Sequence, residues 1–121
     1  MFRVDYDIPA NLLSISVRGF LKPEDAAVLA SAVDAKAREA HAIRDDFNVI
    51  VESLEFPVQA TDVAELLTEI MRRGIVLTSG RAAVIVGSQL NKLQAERTLV
   101  HPRVQVFSSM DAAQLWLDQK D

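Results

Sequence analysis

The chain has 121 residues, of which 50% are hydrophobic and 25% charged, with four glycines and four prolines; this fits one globular domain and excludes wholesale disorder. Lys and Arg total 13 against 17 Asp and Glu, a net charge of −4, which argues against nucleic acid and anionic membrane as partners. No cysteine is present, so disulfides, thiolate metal sites and cysteine nucleophiles are excluded.

Phe2, Val4 and Tyr6 alternate with Arg3, Asp5 and Asp7, the period of two expected of a half-buried strand. Pro9 and Asn11 mark a turn, and Leu13, Ile15 and Val17 then alternate with Ser14, Ser16 and Arg18, which predicts an antiparallel hairpin closed by Gly19. Pro23 opens a helix over residues 23–41, with Glu24 and Asp25 complementing its dipole. Ala26, Leu29, Ala30, Val33, Ala37 and Ala40 line one face of it, and these small side chains suit close approach to a sheet. Phe47-Asn48-Val49-Ile50-Val51 reads as a central strand.

The clearest helix follows a loop from Ser53 to Thr61. Val63, Leu66, Leu67, Ile70 and Met71 have the i, i+3, i+4, i+7, i+8 spacing of an apolar stripe. Asp62 with Glu65 has capping-box spacing, and Gly74 reads as the stop. A buried strand over residues 81–86 turns at Gly87-Ser88 into a third helix, residues 89–99, which Ser88 caps. Leu90, Leu93 and Val100 give that helix only a thin apolar stripe. Val104, Val106 and Phe107 form a last strand, and Ser108 with Asp111 predicts the cap of a final helix that buries Ala113, Trp116 and Leu117.

The order β-β-α-β-α-β-α-β-α predicts an α/β fold. Its sheet is mixed, with about five strands, the first antiparallel and the rest mainly parallel, covered by about four helices. The first residues have no long apolar stretch and do not read as a signal peptide. No window approaches the ~18 apolar residues of a membrane span. The chain is therefore expected to be cytoplasmic, a single domain over residues 1–121, and not transmembrane.

The phrases Phe20-Leu21-Lys22-Pro23-Glu24-Asp25, Val51-Glu52-Ser53-Leu54-Glu55-Phe56-Pro57 and Phe107-Ser108-Ser109-Met110-Asp111-Ala112, in this order of elements, resemble the STAS-like domains. The likeness covers nearly the whole chain. It is nearest to an uncharacterised bacterial branch grouped with the anti-sigma-factor antagonists (SpoIIAA-like). The resemblance implies a non-enzymatic domain that binds other proteins or small ligands. In its regulatory members a partner kinase phosphorylates a Ser in an Asp-Ser-Ser-Gly-like motif, at the start of the helix after the third strand. Here Phe56 is followed by Pro57-Val58-Gln59-Ala60-Thr61-Asp62, without that motif. Gln59 or Ala60 stands where the Ser would be, which leaves Thr61 as the candidate phosphoacceptor. The fold type also resembles the lipid-binding CRAL-TRIO domains.

In sheets with parallel strands, ligands bind beyond the carboxyl ends of the strands, where helix N-termini gather. The candidate binding residues are accordingly Ser53, Glu55, Phe56, Val58, Gln59, Thr61, Asp62 and Ser88. For Asp62, Ser88 and Ser108 the spacing favours helix capping alone over ligand binding. Glu52, Glu55, Asp62 and Glu65 could support acid–base chemistry, but a solvated acidic rim explains them without it. His41 and His101 lack ligand spacing, and Gly74, Gly80 and Gly87 are too dispersed for a phosphate loop or a dinucleotide fingerprint. No catalytic residue, metal or cofactor is expected. The leading expectation is a regulatory or protein-interaction module acting through the loop and helix after the third strand. The alternative is a carrier or sensor of a small apolar or anionic ligand held between the sheet edge and helix 89–99. Leu90, Leu93 and Leu99 could also meet a second protomer, forming a homodimer.

Overall fold

A computed structural model describes residues 1–119. Its strands are β1 (Phe2–Asp7), β2 (Leu12–Val17), β3 (Asn48–Ser53), β4 (Ala82–Val86) and β5 (Val104–Phe107). Its helices are α1 (Pro23–Ile43), α2 (Thr61–Ile75), α3 (Gln89–Thr98) and α4 (Met110–Asp118). The strands form one sheet in the order β1-β2-β3-β4-β5. β1 is antiparallel to β2 and all other pairs are parallel, so the expected mixed sheet with a central third strand is observed.

Register explains how each strand divides its side chains. Tyr6, Leu13, Val49, Ala82 and Val104 are successive cross-strand partners, as are Val4, Ile15, Val51, Val84 and Val106. These rows face α1, α2 and α3, against Leu29, Val33, Val63 and Ile75. Consecutive right-handed crossovers in one direction across the sheet place three helices on one face. The other face is covered by α4, whose Ala113 and Leu117 meet Ile50, Ala83 and Ile85. Trp116 is half-buried there, tilted against Phe107 with ring centroids 5.5 Å apart. The guanidinium of Arg81 lies over its ring.

The helix ends differ from the sequence expectation at three places. The N-cap of α4 is Ser109, whose hydroxyl accepts from the Ala112 N–H, because Ser108 is still leaving β5. Asp62 does not cap α2: the cap position lies two residues earlier, at Ala60, and the Asp62 carboxylate accepts from the neighbouring Val63 N–H. Gly74 is not the stop of α2, which runs on to Ile75. At that end the Gly74 carbonyl accepts from the Leu77 N–H and the Ile75 carbonyl from Arg103, whose guanidinium also donates to the carbonyls of Thr78 and Gly80 beyond the helix. A long-range cation thus does part of the work that a C-terminal glycine was expected to do. Pro23 does occupy the first turn of α1, and Ser88 does cap α3 by accepting from the Asn91 N–H.

At the end of the sheet where the parallel strands begin, Asn11 adopts the left-handed region with φ 53°, which asparagine tolerates. Its side-chain oxygen accepts from the Tyr6 hydroxyl and its side-chain NH2 donates to Asp46. Hydrogen bonds from Arg44 and then from Asn11 hold the Asp46 carboxyl below its ordinary range. A lowered folded value means that the stabilisation is present above the ordinary titration and is lost as pH falls through the folded value. Asp46→Asn is therefore expected to lower the urea midpoint slightly at neutral pH. The difference from wild type should close in strong acid; a gap that persists there would show that charge is not its source.

Candidate functional site

Every parallel strand ends at the same edge of the sheet, and α1, α2, α3 and α4 each begin there after a short connection. Three of those connections, residues 18–22, 54–60 and 87–88, lie side by side because β2, β3 and β4 are neighbours.

Ser53, the last residue of β3, takes an inward position otherwise filled by aliphatic side chains. It is buried, and its hydroxyl donates to the Ile85 carbonyl. That bond satisfies the hydroxyl and fastens β3 to β4 where the loop departs. The Phe56 N–H donates to the Ser53 carbonyl at 3.3 Å, closing a turn. The Phe56 ring packs half-buried on the main core, and its carbonyl accepts from the Asn91 side-chain amide at 3.0 Å. One side chain of α3 thereby positions the loop that leads into α2.

Gln59 ties this loop to the β2–α1 connection. Its side-chain oxygen accepts from the Leu21 N–H at 2.8 Å, while its NH2 group donates to the carbonyls of Gly19 and Pro57 at 3.1 and 2.7 Å. The Gly19 N–H donates to the Glu55 carbonyl at 3.1 Å. Gly19 has φ +69°, which a side chain would strain. Arg18 reaches the exposed Glu55 carboxylate at 3.5 Å, and the Glu52 carboxylate accepts from the Leu54 N–H at 3.0 Å. Two amide side chains thus replace the flexibility of a seven-residue connection with fixed geometry.

The predicted residues therefore gather at one edge but divide by role. Ser53, Phe56, Gln59 and Ser88 spend their polar groups within the protein. Glu55, Val58, Thr61 and Asp62 are exposed. Sequence reading places Gly19 and Phe20 on this edge but misses Asn91, because nothing local marks an amide that bonds across about 35 residues of chain. Gln59→Ala is expected to cost about 1–3 kcal/mol, since the part-buried Leu21 N–H loses its acceptor. Amide exchange would show faster opening at Leu21; unchanged protection would mean that Gln59 is not the latch.

Among the described residues no group of three or more His, Cys, Asp or Glu could hold a metal ion. His41 donates through Nδ1 to the Leu77 carbonyl, and His101 Nδ1 accepts from the Arg103 N–H, so both rings serve backbone groups. A 310 Å³ groove lies between α1 and α2, lined by Ala27, Ala30, Leu66 and Ile70. A 90 Å³ hollow lies between α2 and the far end of α3, around Met71, Leu99 and His101. No helix among the described residues is long and apolar enough to cross a membrane.

No protein-family profile and no curated protein matches the chain. Among solved structures it is similar to an uncharacterised protein of the DUF3478 family from Shewanella loihica PV-4, described as having a SpoIIAA-like fold. The TM-score is 0.70 at 13% identity, over 97% of this chain and 92% of that one. Identity this low carries the architecture and not the activity. With its five-stranded mixed sheet and four helices in the observed order, the chain has a SpoIIAA-like α/β fold.

Proposed function

We propose that the chain is a single STAS-like domain that works in the cytoplasm as a non-enzymatic regulatory module. It binds a protein partner through the β3–α2 loop and the first turns of α2. The observation that carries this reading is the fixed geometry of that loop. Its polar backbone groups are tied down by Gln59 and Asn91, while Glu55, Val58, Thr61 and Asp62 project into solvent. A rigid scaffold presenting free side chains on a connection is the common form of a binding surface. Pro57 adds stiffness, holding Phe56 in an extended backbone.

Thr61 is the exposed first residue of α2. A phosphate there would meet free N–H groups of the helix start, opposed by the carboxylates of Asp62 and Glu65. Thr61→Glu is accordingly expected to change stability by less than about 1 kcal/mol and partner binding by more. The decisive experiment maps amide chemical shifts with a partner purified from the native cells. Responses centred on residues 53–62 support the reading. Responses on the outer face of α1 that spare this loop overturn it.

A further inference from the structure

We propose, resting on that reading of the sheet edge, that the partner segment it takes is both cationic and apolar. The edge exposes large apolar side chains on two of the connections and on the first turns of α3 and α4. Phe20 is 74% exposed and Leu90 58%, and Leu54, Val58 and Met110 are also open to solvent. Leu54 lies against Gly87, and Gly19 is bonded to Glu55, so the connections that carry Phe20, Leu54 and Val58 and the one that leads to Leu90 are in mutual contact. Apolar side chains collected in this way and rimmed by polar groups mark a docking surface.

The rim fixes the chemistry of what docks. Glu24, Glu52, Asp62, Glu65 and Asp111 surround these residues and make no ion pair among the described residues. Of the nearby cations, Arg18 pairs with Glu55, Arg3 with Asp5, and the N-terminal ammonium donates to the Arg18 carbonyl, which leaves Lys22 and Lys92. Most arginines lie elsewhere: Arg44, Arg72, Arg73, Arg81 and Arg103 are at the opposite end of the sheet, where helices finish and parallel strands begin. First-turn carboxylates are favoured by helix dipoles, which accounts for Glu24, Asp62 and Asp111. The Leu54 N–H engages Glu52, but neither role accounts for Glu65 in the second turn of α2, or for the leucines and phenylalanine among them. Unpaired carboxylates around an apolar centre repel anionic partners and anionic lipid, and they attract a segment that places Lys or Arg beside Leu-type side chains.

The test titrates the whole protein with a synthetic leucine–lysine peptide of helical spacing and with its leucine–glutamate counterpart. The lysine peptide is expected to bind with amide responses at Phe20, Leu54, Val58, Leu90 and Met110, and the glutamate peptide is not. Phe20→Ser with Leu90→Ser alters only exposed side chains and should weaken binding about thirtyfold, as for central contacts of an interface. Glu65→Gln with Asp111→Asn should weaken it about tenfold and flatten its salt dependence. Equal binding of both peptides, responses in the α1–α2 groove, indifference to either double variant, or no binding of the lysine peptide would each overturn the inference. So would tighter binding to phosphatidylcholine vesicles than to the peptide. A native partner that engages residues 53–62 through a neutral or acidic segment would overturn this inference and leave the binding edge standing. Responses confined to the outer face of α1 would overturn both.

Discussion

Phe47→Ala is expected to remove about 3–5 kcal/mol of folding stability, the range for deleting a large aromatic side chain that the surroundings cannot replace. Phe47 has no solvent exposure and is among the largest fully buried side chains. It stands just before β3 and meets Tyr6 edge-on, with centroids 6.2 Å apart and an interplanar angle of 75°. Leu13, Ala40, Val49 and Ile75 belong to the same cluster, so one ring joins the hairpin, α1 and α2. Its carbonyl also accepts from the buried Thr78 hydroxyl. For a domain with the usual ~5–15 kcal/mol in total, this single loss approaches unfolding. Phe47→Leu keeps most of the volume and should cost less than about 1.5 kcal/mol. Phe20→Ala offers the contrast, because an exposed ring contributes within about 0.5 kcal/mol to folding. Chemical denaturation of the three variants should therefore separate a core phenylalanine from one held for another purpose. A loss below about 1 kcal/mol for Phe47→Ala, typical of a partly exposed side chain, would show that this junction is not the keystone of the core.

The same contrast shows what the sequence made legible. Alternation in Phe2-Arg3-Val4-Asp5-Tyr6 and Leu13-Ser14-Ile15-Ser16-Val17 reports burial on one face only, and the hairpin follows. The uninterrupted run at residues 82–86 reports burial on both faces, and every residue of β4 is buried. Placing the parallel strands side by side was then enough to bring their following loops to one edge. Helix ends were less legible, because a cap depends on which N–H or carbonyl lacks a partner in the folded molecule. Ser108 and Ser109 both satisfy a capping spacing to within one residue, and only the exit of β5 chooses Ser109. The end of α2 depends on Arg103, roughly a whole βα unit away in sequence. In the sequence Gln59 reads as a departure from a phosphoacceptor motif and as one candidate binding residue among several. Its three hydrogen bonds give it a physical reason to be there, and none of them can be read from neighbours in the chain.

Gly87→Ala is the substitution expected to disturb the candidate site most. The β4–α3 connection passes so close to the β3–α2 loop that a Cβ on Gly87 would collide with the Leu54 carbonyl oxygen, with the Leu54 carbonyl carbon at 3.0 Å and Cα at 3.3 Å. All three atoms are backbone, so no rotamer change relieves the overlap and one connection must move. Overpacking of this kind costs about 1–3 kcal/mol. The displacement falls on Leu54, whose N–H bonds Glu52, and on the nearby link from Asn91 to the Phe56 carbonyl. Loss of that link would free the loop that presents Val58 and Thr61, so binding at the edge should fall further than stability does. Because the clash is with backbone, adding Leu54→Ala should not rescue Gly87→Ala. Amide spectra should show responses extending over residues 54–59 and 88–91, with faster exchange there than in β3 or β4. Responses confined to the immediate neighbours of residue 87, or full rescue by trimming Leu54, would show that the two connections are not mechanically coupled. In that case Gln59 alone would have to account for the fixed geometry of the loop.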